Sequence, residues 1–191
     1  MTSRVGIFGG SFDPPHVGHL ALGVWARTEL GLDLVLVTVA HDPWQKSHRL
    51  LTPSPHRLRM VELAVDGVAG LQASDMELRR GGPSYTLQTV RNVCERYGVA
   101  EPVLILGSDA AAGLDTWHGA DELKGLATIA MAGRGAQGGQ PPPGWRWERF
   151  EVPRIDVSSS SLRDRLRAGL PVDGVVPPSV VAYITEHGLY S

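Results

Sequence analysis

At 191 residues the chain is long enough for one domain with a substantial core, and its formal net charge of −2 leaves no basic excess to neutralise the phosphates of a nucleic acid. No window approaches the roughly 18 uninterrupted apolar residues of a membrane-spanning helix, and no charged–apolar–small leader opens the chain. A cytoplasmic protein with no nucleic-acid or membrane partner is therefore expected. The single cysteine, Cys94, excludes an internal disulfide and a cysteine-cluster metal centre.

In chain order, Val5-Gly6-Ile7-Phe8 reads as a buried first strand. A glycine-rich turn follows, and residues 20–26 read as a helix. The β-branched and aliphatic run at 33–39 has the look of a strand buried on both faces. Ser54 and Pro55 supply an N-cap and an N1 proline for a helix that carries Leu58, Val61 and Val65 on one side. A short strand is expected at 71–74, with 76–80 as its extension or a hairpin edge. Ser84 would cap a helix over 87–97, whose stripe Leu87, Val90, Cys94, Tyr97 places the thiol in core packing. Further strands are expected at 102–106, 127–131 and 150–152, with a breaker-rich Gly/Pro loop at 133–144. Helices at 158–168 and 178–187, the latter closed by Gly188, complete the chain.

This alternation implies an α/β fold, a Rossmann-like doubly wound parallel sheet with a small C-terminal helical appendage. The expected division is a nucleotide-binding part over 1–157 and a helical subdomain over 158–191 packed on it, effectively one domain. Ligands of such sheets bind at the carboxyl ends of the strands, where the turn at 9–11 and Gly107-Ser108-Asp109 would both lie.

The chemistry concentrates in Gly-Gly-Ser-Phe-Asp-Pro-Pro-His-Val-Gly-His, residues 9–19. Glycines let backbone N–H groups approach an anion, the helix start adds a favourable dipole, and His16 and His19 stand three apart on one face. Neither a P-loop nor Gly-x-Gly-x-x-Gly is present here. A second candidate anion site is Ser158-Ser159-Ser160-Ser161-Leu162-Arg163, hydroxyls and free N–H groups at a helix start with an arginine a turn inside. Read alone, it is equally a generous N-cap with a solvated arginine. A metal centre on His16 and His19 lacks a third ligand. His41 and His48, which flank Lys46, are read as exposed and as candidates to lie beside substrate, and His56, His118 and His187 as facing solvent or capping.

His-x-Gly-His after a first-strand glycine turn, together with Val157-Ser-Ser-Ser-Ser-Leu-Arg163, resembles the two signatures of the nucleotidyltransferase superfamily. The second departs from the superfamily's Ile-Ser-Ser-Thr-x-x-Arg by Val157 and Ser160, both conservative changes. Ser84-Tyr-Thr-Leu-Gln-Thr89, Gly107-Ser-Asp109, Leu114-Asp-Thr-Trp117 and the ending from Val176 extend the likeness over nearly the whole chain, except the Gly/Pro loop. The family so resembled is that of the bacterial nicotinate mononucleotide (nicotinate-nucleotide) adenylyltransferases.

The resemblance implies transfer of AMP from ATP to nicotinate mononucleotide, giving nicotinate adenine dinucleotide (deamido-NAD) and pyrophosphate. It assigns catalysis to His16, His19 and Arg163. ATP would be held by Gly9, Gly10, Phe12, Gly18, Gly107, Asp109, Ser158, Ser159 and Ser160 together with those three. The mononucleotide would meet Ser11 and Lys46 at its phosphate, and Tyr85, Thr86 and Trp117 at its ring. Mg²⁺ would enter with ATP, held by substrate phosphates and not by a protein cage. Members of the family often form homodimers, so a homodimer is also within expectation. Two other readings stand beside this one. A pantetheine-phosphate adenylyltransferase shares both signatures but lacks the Tyr-Thr-x-x-Thr and Leu-x-x-Trp elements. A nucleotide sensor would keep the fold without turnover.

Overall fold

Six parallel strands form one sheet in a computed structural model that describes residues 4–42, 51–133 and 141–191. They are β1 (Val5–Gly10), β2 (Leu34–Val39), β3 (Leu71–Ser74), β4 (Val103–Gly107), β5 (Thr128–Ala132) and β6 (Trp147–Phe150), in the spatial order β3-β2-β1-β4-β5-β6. That order reverses between β1 and β4, as in doubly wound nucleotide-binding folds. The helices are α1 (Val17–Glu29), α2 (Ser54–Val65), α3 (Met76–Arg80), α4 (Thr86–Tyr97), α5 (Ser108–Ala112), α6 (Ala120–Leu126), α7 (Ser159–Arg167) and α8 (Pro178–Glu186).

The apolar runs become strands because both faces are covered. Leu36, Leu104, Ile129 and Met131 enter one core with Val90 and Val93 of α4. Their neighbours Val35, Val37, Val103, Ile105 and Ala130 enter a second core on the opposite face, with Ala26 of α1 and Val61 of α2. The two-residue period of a strand thus feeds two cores at once. A third cluster joins Met60 and Ala64 of α2 to Leu162, Val180 and Ile184 of α7 and α8. Val17 N–H also donates to the Val175 carbonyl at 2.9 Å, tying the start of α1 to the C-terminal segment.

Several local expectations are corrected. Residues 76–80 form helix α3, whose Arg79 pairs with Asp75 one turn earlier, in place of a strand extension. Pro53, not Ser54, caps α2, and the Ser54 hydroxyl lies 3.2 Å from His41 Nδ1. Tyr85 occupies the cap position of α4, and the Ser84 hydroxyl accepts from Asp42 N–H at 3.2 Å. The last strand ends at Phe150, where it was expected to begin, because Ile129 pairs with Trp147 and Ala132 with Phe150. Most of the Gly/Pro loop, residues 134–140, lies outside the described residues, as does Lys46.

Candidate active site

β1 pairs with β2 along its whole length, but with β4 only through Gly6–Val103 and Ile7–Leu104. Beyond that point a cavity of about 270 Å³ opens at the carboxyl ends of the strands, between Gly9 and Gly10 of β1 and Leu106 of β4. Its rim brings Ser11 of the glycine turn together with Tyr85 and Thr86 at the start of α4, and with Trp117. A Cβ on Gly9 would meet nothing within 4 Å, so the absent side chain leaves room in the cavity floor. Trp117 Nε1 is buried with no partner among the described residues, an indole donor with its hydrogen bond unmade. Gly107 ends β4 and starts α5, while the side chain of Asp109 lies outside the described residues.

On the far side of the turn the second group assembles. Phe12 takes φ +49°, a left-handed conformation that costs a non-glycine residue about 1–2 kcal/mol. Burial of its ring against Phe8 and edge-on to His19, with centroids at 5.3 and 5.0 Å, offsets that cost. His16 and His19 stack, with ring centroids 3.7 Å apart. His16 N–H donates to His19 Nδ1 at 3.2 Å, which leaves the proton of a neutral His19 on Nε2. Burial pulls the His16 pKa down to about 4, so at neutral pH it is an uncharged imidazole. A Cβ on Gly18 would stand 3.0 Å from His16 Nδ1 and 3.2 Å from Val157 Cγ1, so any side chain there would press on both.

The C-terminal signature closes on this turn. Ser158 caps α7 by accepting from Ser161 N–H at 3.1 Å. The Ser159 hydroxyl donates to the Pro14 carbonyl at 2.9 Å. Arg163 donates from Nη1 to the Asp13 carbonyl at 2.7 Å and from Nη2 to the Ser160 hydroxyl at 3.1 Å. Two signatures, joined by contacts 145 and 150 positions apart in sequence, therefore form one wall. The expected residues fall into two groups joined by the turn: Gly9, Gly10, Ser11, Tyr85, Thr86 and Trp117 around the cavity, and Phe12, His16, Gly18, His19, Ser158, Ser159, Ser160 and Arg163 beside it.

The cytidylyltransferase-like family matches residues 7–165, which span both groups. A relative from Albidiferax ferrireducens, assigned as a nicotinate-nucleotide adenylyltransferase, is 40% identical and covers 98% of each chain. One from Saccharopolyspora erythraea, assigned likewise, is 37% identical over 98% of this chain and 89% of its own. The chain belongs to the nicotinate-nucleotide adenylyltransferase family. Its fold is also that of Plasmodium falciparum nicotinic acid mononucleotide adenylyltransferase complexed with NaAD, with TM-score 0.77 and 18% identity over 98% of this chain and 97% of that one. The structure of the same protein complexed with APC gives TM-score 0.76 and 17% identity over the same shares.

Within this family frame, three neighbours of the site were not expected from sequence. His118 is exposed, as expected, but it also stacks on Tyr85 with centroids 4.2 Å apart and lines the cavity. Glu77 also lines it, accepts from the Thr89 hydroxyl at 2.7 Å, and has a second oxygen with no partner among the described residues. Arg57 is buried behind the turn. His56 is half-buried, with Nδ1 2.9 Å from the Tyr183 hydroxyl, whereas His187 is exposed at the C-cap of α8, as expected, with its ring stacked on Tyr183. Burial raises the pKa of Cys94, which keeps it a packing thiol. Among the described residues no cluster of three His, Cys, Asp or Glu is placed to hold a metal ion, and no helix is long and apolar enough to cross a membrane.

Proposed function

We propose that this chain transfers AMP from ATP to nicotinate mononucleotide, releasing pyrophosphate and forming nicotinate adenine dinucleotide. The observation that carries the reading is the cavity itself, where the glycine turn that leads into the stacked histidine pair meets the start of α4 and Trp117. Family membership at 40% identity over the whole chain supports the same substrates.

In this reading the mononucleotide's phosphate oxygen attacks the α-phosphorus of ATP, and the bond from that phosphorus to the pyrophosphate oxygen breaks. No covalent intermediate on the protein is required. His19 Nε2–H and the imidazole of His16 serve as directed donors to phosphate oxygens, and Arg163 adds a fixed positive charge. The guanidinium has five N–H groups and spends two on Asp13 and Ser160, so it keeps donors for a ligand. The start of α4 offers free N–H groups and a positive dipole end to the nicotinate carboxylate. Trp117 stacks on the ring. Positioning of this kind can supply about 7–11 kcal/mol of barrier reduction.

Mg²⁺ fits this arrangement as an ion carried by the triphosphate, because it favours phosphate and water oxygens over an all-protein cage. When bound it neutralises phosphate charge. Ser11, Gly9, Gly10, Lys46, Asp109 and the serines of α7 keep the substrate-binding roles that the family resemblance implies. Pyrophosphate release from Mg-ATP, with nicotinate mononucleotide, nicotinamide mononucleotide and phosphopantetheine offered separately, tests the reading. Preferential turnover of the nicotinate substrate is expected. Turnover only with phosphopantetheine would move the chain to that acceptor. ATP binding without turnover of any would make it a sensor.

A further inference from the structure

Arg57 sits on α2, is 2% exposed, and is among the largest fully buried side chains. Its hydrogen bonds run to backbone carbonyls of three separate segments. Nε donates to Thr52 O at 2.7 Å, Nη1 to Ser11 O at 3.0 Å and Ala40 O at 2.7 Å, and Nη2 to His41 O at 3.2 Å. These are the glycine turn, the exit of β2 and the entry to α2. Ser11 and Ala40 both line the cavity. Burial lowers the Arg57 pKa and the nearby Asp13 charge raises it. Asp13 itself is engaged elsewhere, by Thr52 N–H at 3.3 Å and by the Tyr190 hydroxyl at 2.6 Å.

A trans peptide points its N–H opposite to its carbonyl. By taking the carbonyls of Ser11, Ala40 and His41, the guanidinium turns the N–H of each following residue away from itself. For the last of these the destination is visible: Asp42 N–H donates to the hydroxyl of Ser84, which also lines the cavity. One side chain thereby fixes the peptide planes of two walls of the mononucleotide pocket. A lysine cannot do this, because its ammonium is a compact point charge without the planar fork.

We propose that Arg57 is a positioning residue for the phosphate of the acceptor mononucleotide, acting through the backbone of Ser11, Ala40 and His41. This rests on the functional reading above, in which Ser11 meets that phosphate. Wild-type turnover with nicotinate mononucleotide is measured first, and its failure would sink the functional reading. With turnover in hand, Arg57→Lys is compared with wild type for both KM values and for binding of nicotinate riboside, which lacks the phosphate.

The KM for the mononucleotide should rise about tenfold or more, the scale of losing a hydrogen bond to a charged group. The KM for ATP and the affinity for the riboside should stay within about twofold, well under that tenfold step. A parallel rise in both KM values, an equal loss of riboside binding, or no change in a folded variant would overturn the proposal. If Arg57→Lys does not fold, Arg57→Gln, which places neutral donors in the same space, takes its place in the comparison. Should neither fold, Ser84→Ala decides by removing the other anchor of the His41–Asp42 peptide. A rise in mononucleotide KM alone supports the proposal, and an unchanged one overturns it.

Discussion

Tyr190 donates a 2.6 Å hydrogen bond to the carboxylate of Asp13, 177 positions earlier in the chain. Asp13 is 1% exposed and lies inside the glycine turn, between Phe12 and the His16–His19 pair. Burial pushes the phenol pKa far above its usual value, so Tyr190 remains a donor at any working pH. With Ser159 on Pro14 and Arg163 on the Asp13 carbonyl, the turn is gripped from the C-terminal side at three points.

Tyr190→Phe should therefore destabilise the fold by about 1.5–3 kcal/mol, the range for a hydrogen bond to a charged group whose partner stays buried. Urea unfolding at neutral pH reads this directly. A variant as stable as the parent would show that the contact contributes nothing.

The depressed His16 pKa fixes a pH dependence. The unfolded chain carries a histidine of ordinary pKa, about 6.5, and the folded one titrates only near 4. Between those values the unfolded state binds more protons, so stability falls as pH drops from 6.5 to 4. The contribution at stake is on the order of 3 kcal/mol. His16→Gln should lack it, and the stability gap between parent and variant should shift by that amount between pH 7 and pH 4. A constant gap would mean that His16 titrates normally in the folded protein.

In the proposed mechanism His19→Ala removes a donor to a phosphate oxygen and should lower kcat by about 10²–10³, the loss seen for one such donor. Pyrophosphate release under saturating substrates measures it. An unchanged kcat would take His19 out of the mechanism.

Two glycines should respond in opposite ways. Gly18→Ala forces the His16 ring or Val157 to move and should cost about 1–3 kcal/mol, as overpacking does. Gly9→Ala meets open space, so stability should stay within about 0.5 kcal/mol, while the methyl group enters the cavity and raises a substrate KM. Melting curves and steady-state assays of both variants separate the cases. A Gly9→Ala enzyme with both KM values intact would place substrate elsewhere.

The parallel strands were legible in sequence because burial on both faces leaves continuous apolar runs such as Val103–Ile105. The glycine turn and the serine-rich helix start were legible because both are contiguous motifs. Helix α3 was not, since five residues are too few to display a helical period. Nor was the cap of α2, where Ser54 faces His41 across a gap in sequence that no local rule bridges. Arg57, between His56 and Arg59 in sequence with only Leu58 intervening, belongs to no motif that singles it out. Yet it stands three, four and seven positions before Met60, Val61 and Ala64, on the buried stripe of its helix, and that spacing was the available clue. His118 and Glu77 carried no comparable mark, because only the meeting of α3, α4 and the segment after β4 brings them to the cavity.

In the proposed reaction, the neutral state of His16 has a consequence for the departing pyrophosphate. Attraction by an uncharged N–H dipole fades with distance more steeply than attraction by a cation. In that reaction the charge of Arg163 would act at longer range, whereas the imidazole would act only on an oxygen already seated against it. A wall built this way discriminates by alignment more than by total charge and gives bystander polyanions little hold. It also loosens its grip once the leaving group begins to drift, which favours release over product inhibition.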